Sequence, residues 1–462
     1  MYKLPIALGL LCACSTAATP PPVAIRNAKI VTIGGSTLNR GTVVLRNGLI
    51  EAVGEKVQVP PDAAVIEGEG LTVYPGLIDA LSTWGLPSAS LSTGGRAASA
   101  TPAAATPAPA QAPGQQAAPA RIPRGPEDRP QTTSWIKAAD EIQPADRRIE
   151  IARNAGFTTA VTFPTHGIFA GQGSVINLYT EGRAAEMVIA PSAGQYISLA
   201  AGRGMGSMGA GFPGSLMGTI AYIRQIYLDA DNYTQVKAAY AKEPRGMKRP
   251  DYDRALEGVL ESKRILLPAA TLVEIDRMIR FAAELKQPAV LYGMREAFRP
   301  ESVALLEKAG VPVLVSLRWP EPPRDPDPDE TETFRTLENR AKAPSAPAEL
   351  KKAGIPFALY SDGIEQARDL QRAVRKAIDA GLAREDAVRA LTLSPARIYG
   401  VEDRLGSIQE GKIANLVVTR GEIFDDRTRV EMVFVDGVKY IPAPEAAPPG
   451  GRGRGGNPGG AQ

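Results

Sequence analysis

The chain has 462 residues, 44% of them hydrophobic and 22% charged, enough for one large domain with a smaller one attached. Its 53 basic and 50 acidic residues nearly cancel to a formal charge of +3, so the composition carries no nucleic-acid footprint. Both cysteines, Cys12 and Cys14, fall at the start, which excludes thiol nucleophiles and thiolate zinc sites from everything that follows.

Residues 1–22 place one positive charge, Lys3, before an apolar run from Leu4 to Leu11 and then small residues. That is the layout of a secretory leader, and the run is too short to span a bilayer. Leu11-Cys12-Ala13-Cys14 resembles a bacterial lipoprotein processing site, which would leave Cys14 lipidated; ordinary cleavage near Ser15-Thr16-Ala17 is the alternative. The expectation is an exported protein, periplasmic or anchored to the membrane by lipid alone.

Residues 23–75 are rich in Val and Ile and punctuated by turn residues, with Asn47-Gly48 a two-residue hairpin signal. Residues 401–442 have the same character, with Asp436-Gly437 as a matching turn. The two clusters predict one small β-sandwich formed by both chain ends. Between them, at 76–400, short apolar runs (AGFTTAVTF, AAEMVIAPS, KRILLPA, QPAVLYG, VPVLVSL, IPFALYS) read as buried parallel strands. Helices are predicted at 272–285, 301–309 and 367–380. This is the rhythm of an α/β fold, a (β/α)8 TIM-like barrel. An Ala/Pro/Gln-rich stretch, 88–133, reads as a disordered insertion, and 443–462 as a disordered Gly/Pro-rich tail. A Gly-rich mobile loop at 201–218 and a loose Pro-rich region at 320–347 complete the layout.

Three segments carry a family likeness. Residues 73–85, VYPGLIDALSTWG, resemble the first barrel strand of the amidohydrolase superfamily, Pro-Gly-Leu-Ile-Asp-x-His-x-His. GFTTAVTFPTHGIFAGQGSVINL is similar to the second barrel unit of its imidazolonepropionase-like branch. EDAVRALTLSPARIYGVEDRLGSIQEGKIANLVV resembles the C-terminal run of active members, with mild departures at Ser394 and Asn415. The resemblance implies hydrolysis of carbon–nitrogen bonds in amides, cyclic amides or dipeptides. It also implies a metal, usually zinc, held by two histidines of strand one, a bridging carboxylated Lys or Glu, a histidine on each of strands five and six, and an aspartate on strand eight. Such a metal polarises the scissile carbonyl and generates hydroxide at neutral pH.

At those positions this chain has Leu81 and Thr83 on strand one, Pro268 on strand five and Tyr292 on strand six; only Asp362 on strand eight is kept. One histidine occurs in the whole chain. The resulting expectation is a protein without a bound metal or other cofactor, catalytically impaired, whose barrel mouth binds a small organic ligand or a partner. Homo-oligomers and complexes with an active relative are the partners considered. The alternative is an active hydrolase with an unusual metal-poor site in which Asp362 is the general base. Asp362 otherwise reads as a relic bonded to backbone or an arginine. Asp79 reads as a tie at the junction, with a Mg²⁺ or Ca²⁺ site shared with Asp362 as the rival. The sole histidine, His166, reads as a loop polar residue, with substrate contact at the barrel mouth as its rival.

Overall fold

The computed structural model describes residues 21–87, 129, 131–180, 182–199, 213–323, 325, 331–364, 366–425 and 427–442. Residues 1–20 with Cys12 and Cys14, the tail from 443, and residues 88–128 of the expected insertion lie outside them. No helix among the described residues is long and apolar enough to cross a membrane.

Five strands open the fold: β1 (Val23–Ile30), β2 (Leu38–Arg46), β3 (Leu49–Gly54), β4 (Ala64–Glu67) and β5 (Thr72–Pro75). Three close it: β14 (Leu416–Thr419), β15 (Val430–Val435) and β16 (Val438–Tyr440). They form one sheet in the order β16-β15-β14-β5-β1-β2-β3, with β4 against β1, so β14 and β5 join the two chain ends. Asn47 and Gly48 have φ of 53° and 77°, and Asp436 and Gly437 of 52° and 78°. Both pairs thus occupy the left-handed region that two-residue hairpin turns demand. The two turns meet, because Ala414 donates to the Gly48 carbonyl and a Cβ at Gly48 would press on Asp436. The sheet therefore folds back on itself over a core including Ile25, Val43, Leu45, Val73, Leu416 and Phe434.

The barrel is a second eight-stranded sheet: β6 (Leu77–Ser82), β7 (Phe157–Thr162), β8 (Phe169–Asn177), β9 (Val188–Ile197), β10 (Ile265–Ala269), β11 (Ala289–Gly293), β12 (Val313–Ser316) and β13 (Phe357–Tyr360). Around it run α1 (Arg147–Asn154), α2 (Leu216–Lys242), α3 (Arg254–Glu261), α4 (Leu272–Leu285), α5 (Pro300–Ala309), α6 (Phe334–Lys342), α7 (Ala346–Lys352), α8 (Ala367–Asp379), α9 (Arg384–Ala390) and α10 (Leu393–Tyr399). The apolar runs are continuous because both strand faces are buried. Ile265, Leu267, Leu291, Val313, Val315 and Leu359 pack outward with the helices, while Leu266, Val290, Leu314 and Ala358 turn into the lumen.

The strand–helix alternation fails in one place. β8 pairs antiparallel with both β7 and β9, so β7-β8-β9 is a meander inserted into an otherwise parallel sheet. Asn415, at the foot of β14, ties this meander to the terminal sheet: its amide donates to Thr159 and Asn177 and its carbonyl accepts from the Asp436 amide.

Three segments expected to be loose are ordered in part. Arg129 pairs with Asp229 and Asp253, and Thr132 bridges to Phe169, so the far end of the 88–133 stretch is held by the barrel. Ser215 caps α2, whose first turn takes the last residues of the expected 201–218 loop. In 320–347, Thr333 caps α6, and Arg335 and Asn339 of that helix bind the buried Glu296. Composition marked these segments as polar or Gly-rich; specific caps and ion pairs order them.

Candidate functional site at the barrel mouth

The strands β9 to β13 end on one side of the barrel, and their inward positions collect aromatic and hydroxyl side chains there. Register places Pro268 beside Tyr292 and Ser316 beside Tyr360. Tyr292 stacks on Tyr196 of β9 with ring centroids 5.5 Å apart, and its hydroxyl donates to the Tyr196 hydroxyl at 2.9 Å. Phe163 continues the group, 6.0 Å from Tyr196 on one side and 6.3 Å from Tyr399 on the other. A Cβ at Gly173 would collide with the Phe163 ring, so this close packing needs the missing side chain.

Asp362 follows β13 in a left-handed conformation, φ 50°, and Gly363 after it has φ 74°. An aspartate tolerates this region better than most residues. Ser316 donates to Asp362 Oδ2 at 2.6 Å, and Arg318 Nε donates to the Asp362 backbone carbonyl at 2.9 Å. Burial and then the Asp362 charge push the Tyr360 hydroxyl well above its ordinary range. Burial also raises Tyr292 and Tyr196, with smaller contributions from Asp362. All three stay neutral hydrogen-bonding groups at physiological pH.

Deeper in the wall, Asp79 accepts from the Ser361 amide at 3.0 Å and from the Ser361 hydroxyl at 2.5 Å. It is fully buried, and burial pushes its carboxyl up to about 7. Asp79 thus spans the seam between β6 and β13, and Tyr399 donates to the Ala80 carbonyl beside it.

Residues 294–439 match the amidohydrolase family model. The chain is similar to a crystal structure of an amidohydrolase from Thermotoga maritima MSB8, at 25% identity and a TM-score of 0.68, over 91% of this chain and all of the other. Two further structures share the fold alone: a prolidase complexed with N-methylphosphonate-L-proline (16% identity, TM-score 0.52, 91% of this chain, 100% of that one) and a molinate hydrolase (14%, 0.51, 91% and 95%). No curated protein sequence matches the chain. Sequence and fold support the amidohydrolase superfamily.

Amidohydrolase chemistry at this mouth would need donors for a metal, and the residues present do not fit one. A catalytic zinc takes about three nitrogen, sulfur or carboxylate ligands plus an open position. Leu81 packs as an apolar side chain against the lumen cluster. The Tyr292 hydroxyl is engaged with Tyr196, and both oxygens of Asp79 are taken by Ser361. Among the described residues, no three His, Cys, Asp or Glu side chains stand close enough to hold an ion.

Of the residues singled out from sequence, Leu81, Pro268, Tyr292 and Asp362 belong to this end of the barrel. Thr83 does not join them; its hydroxyl accepts from Arg148 of α1 at 3.2 Å. His166 is exposed on the loop between β7 and β8. Sequence reasoning missed Tyr196, Ser316, Tyr360 and Phe163. For Phe163, Ser316 and Tyr360 a signal was available, since each sits at or just past the last inward position of an apolar run, as Tyr292 does; Tyr196 follows Pro191-Ser192-Ala193-Gly194-Gln195 and carries no such mark.

Proposed function

We propose that this chain is a metal-independent, ligand-binding member of a lineage of carbon–nitrogen hydrolases, exported from the cell, in which the barrel mouth recognises a small organic molecule instead of hydrolysing it. The family-model match and the Thermotoga maritima amidohydrolase support the hydrolase ancestry. The observation that carries the change of role is the hydrogen-bonded Tyr196–Tyr292 pair together with Leu81, where ligands to a metal would be expected. Without a metal to generate hydroxide, the main source of hydrolytic rate is missing.

The test is metal content of the purified full chain, with turnover of dipeptides, hydantoins and imidazolones before and after added zinc. The expected result is less than a tenth of an equivalent of metal and no turnover in either state. One equivalent of zinc surviving dialysis, with turnover, overturns the reading.

A second reading, a hydrolase that uses Asp362 as general base, has one observation in its favour: among the described residues only one of the two carboxylate oxygens is hydrogen bonded. Metal-free turnover lost in Asp362→Asn would establish it.

A further inference from the structure

The charge of Asp362 is poorly matched by its surroundings. Ser316 takes Oδ2, while Oδ1 has no hydrogen-bond partner among the described residues. The groups facing the carboxylate are the phenols of Tyr196, Tyr292 and Tyr360, all of which register its charge. Asp79, in the wall at the β6–β13 seam, acts on the same carboxylate and adds charge of the same sign when ionised. Arg318 lies beside Asp362. Its Nε is committed to the Asp362 backbone carbonyl, its side chain is exposed, and among the ion pairs of the described residues none joins it to the carboxylate. A half-buried carboxylate among aromatic rings and phenol oxygens favours a positive charge of low hydration. Ring faces attract a cation through their quadrupoles, and desolvation strengthens that attraction. A hard divalent ion wants six or more oxygens, which this group does not offer.

We infer that the ligand of the barrel mouth is an organic ammonium compound, its cationic nitrogen placed against Asp362 and the tyrosines Tyr196, Tyr292 and Tyr360. The inference rests on the reading of the mouth as a binding site and narrows it to one chemical class. Tyr292 and Tyr360 would supply ring face and hydroxyl, and Asp362 Oδ1 would accept an N–H or face an alkylated nitrogen. Ser316 and Arg318 hold Asp362 in place and need not touch the ligand.

The experiment is calorimetric titration and thermal shift on the full chain. The probes are choline against its uncharged carbon isostere, and butylammonium against butanol. The expected result is at least tenfold tighter binding of one ammonium probe than of its neutral counterpart. Asp362→Asn should remove that preference while unfolding at the wild-type temperature without ligand. Tyr292→Phe, which keeps the ring, should retain most of the binding, and Tyr292→Leu should lose it at least tenfold. Equal binding of charged and neutral probes would overturn the ammonium assignment and leave the binding mouth standing. Failure of the wild type to bind any of the four would overturn both, as would turnover of the amide panel by metal-free protein with no ammonium binding. An ammonium preference that survives Asp362→Asn would place the site elsewhere and sink the assignment.

Discussion

Asp79 stands where β6 and β13 approach without a backbone ladder between them, and its two oxygens hold the Ser361 amide and hydroxyl across the gap. Burial raises this carboxyl from about 3.8 to about 7, so the folded chain binds a proton there that the unfolded chain has released. The sign follows: this contribution to stability is fully present below the unfolded value, declines as pH rises from about 4 to about 7, and is flat above. Asp79→Asn keeps an acceptor for the Ser361 amide and removes the titration. The variant should therefore gain on the wild type by roughly 2–4 kcal/mol between pH 4 and 8, read by urea unfolding at each pH. A difference that stays constant across that range would show that Asp79 is not titrating in the fold.

Among the elements, α6 shows how a segment can be ordered by its polar face. Phe334 at 79% exposure and Leu337 point outward, while Arg335 and Asn339 grip Glu296 in the loop after β11. Burial pushes Glu296 up, but Arg335, the Leu272 amide and Asn339 prevail and hold it at about 2. Its contribution is present above the unfolded pKa near 4.5 and is lost as pH falls toward 2. Glu296→Gln should cost about 1–2 kcal/mol at pH 7, a figure discounted because Arg335 is more than half exposed, and roughly a quarter of that near pH 2.5. Equal loss at both values would assign the effect to packing. This helix was illegible in the sequence because the pattern that orders it is an ion pair to a residue 39 positions away. The buried strands β10 to β13 were legible, since both faces are apolar and the runs are short. α4 was readable from its own residues, as a Thr271–Glu274 capping box opens its amphipathic pattern. The reversed strand β8 was not, because a strand buried on both faces carries no mark of its direction. At the mouth, Asp362 and Tyr292 were found through likeness to a motif, whereas Tyr196 and Ser316 become neighbours only when the barrel closes.

At the scale of the molecule, β5 pairs with β14 across more than three hundred residues of intervening chain, and Asn415 fastens the joined sheet to the barrel meander. The order of synthesis then matters. On a ribosome β1 to β5 emerge first, and the β5 edge stays without its partner while every barrel strand is made. An unpaired edge of this kind invites pairing with other chains. A chain ending at residue 400 lacks β14, β15 and β16 and should partition into the pellet on fractionation; a soluble, cooperatively unfolding product would refute this. The last forty or so residues of the fold thus act as a built-in clasp. Their delayed arrival sets a window in which the nascent protein exposes an unpaired strand edge, and a slow stretch of translation lengthens that window and favours aggregation.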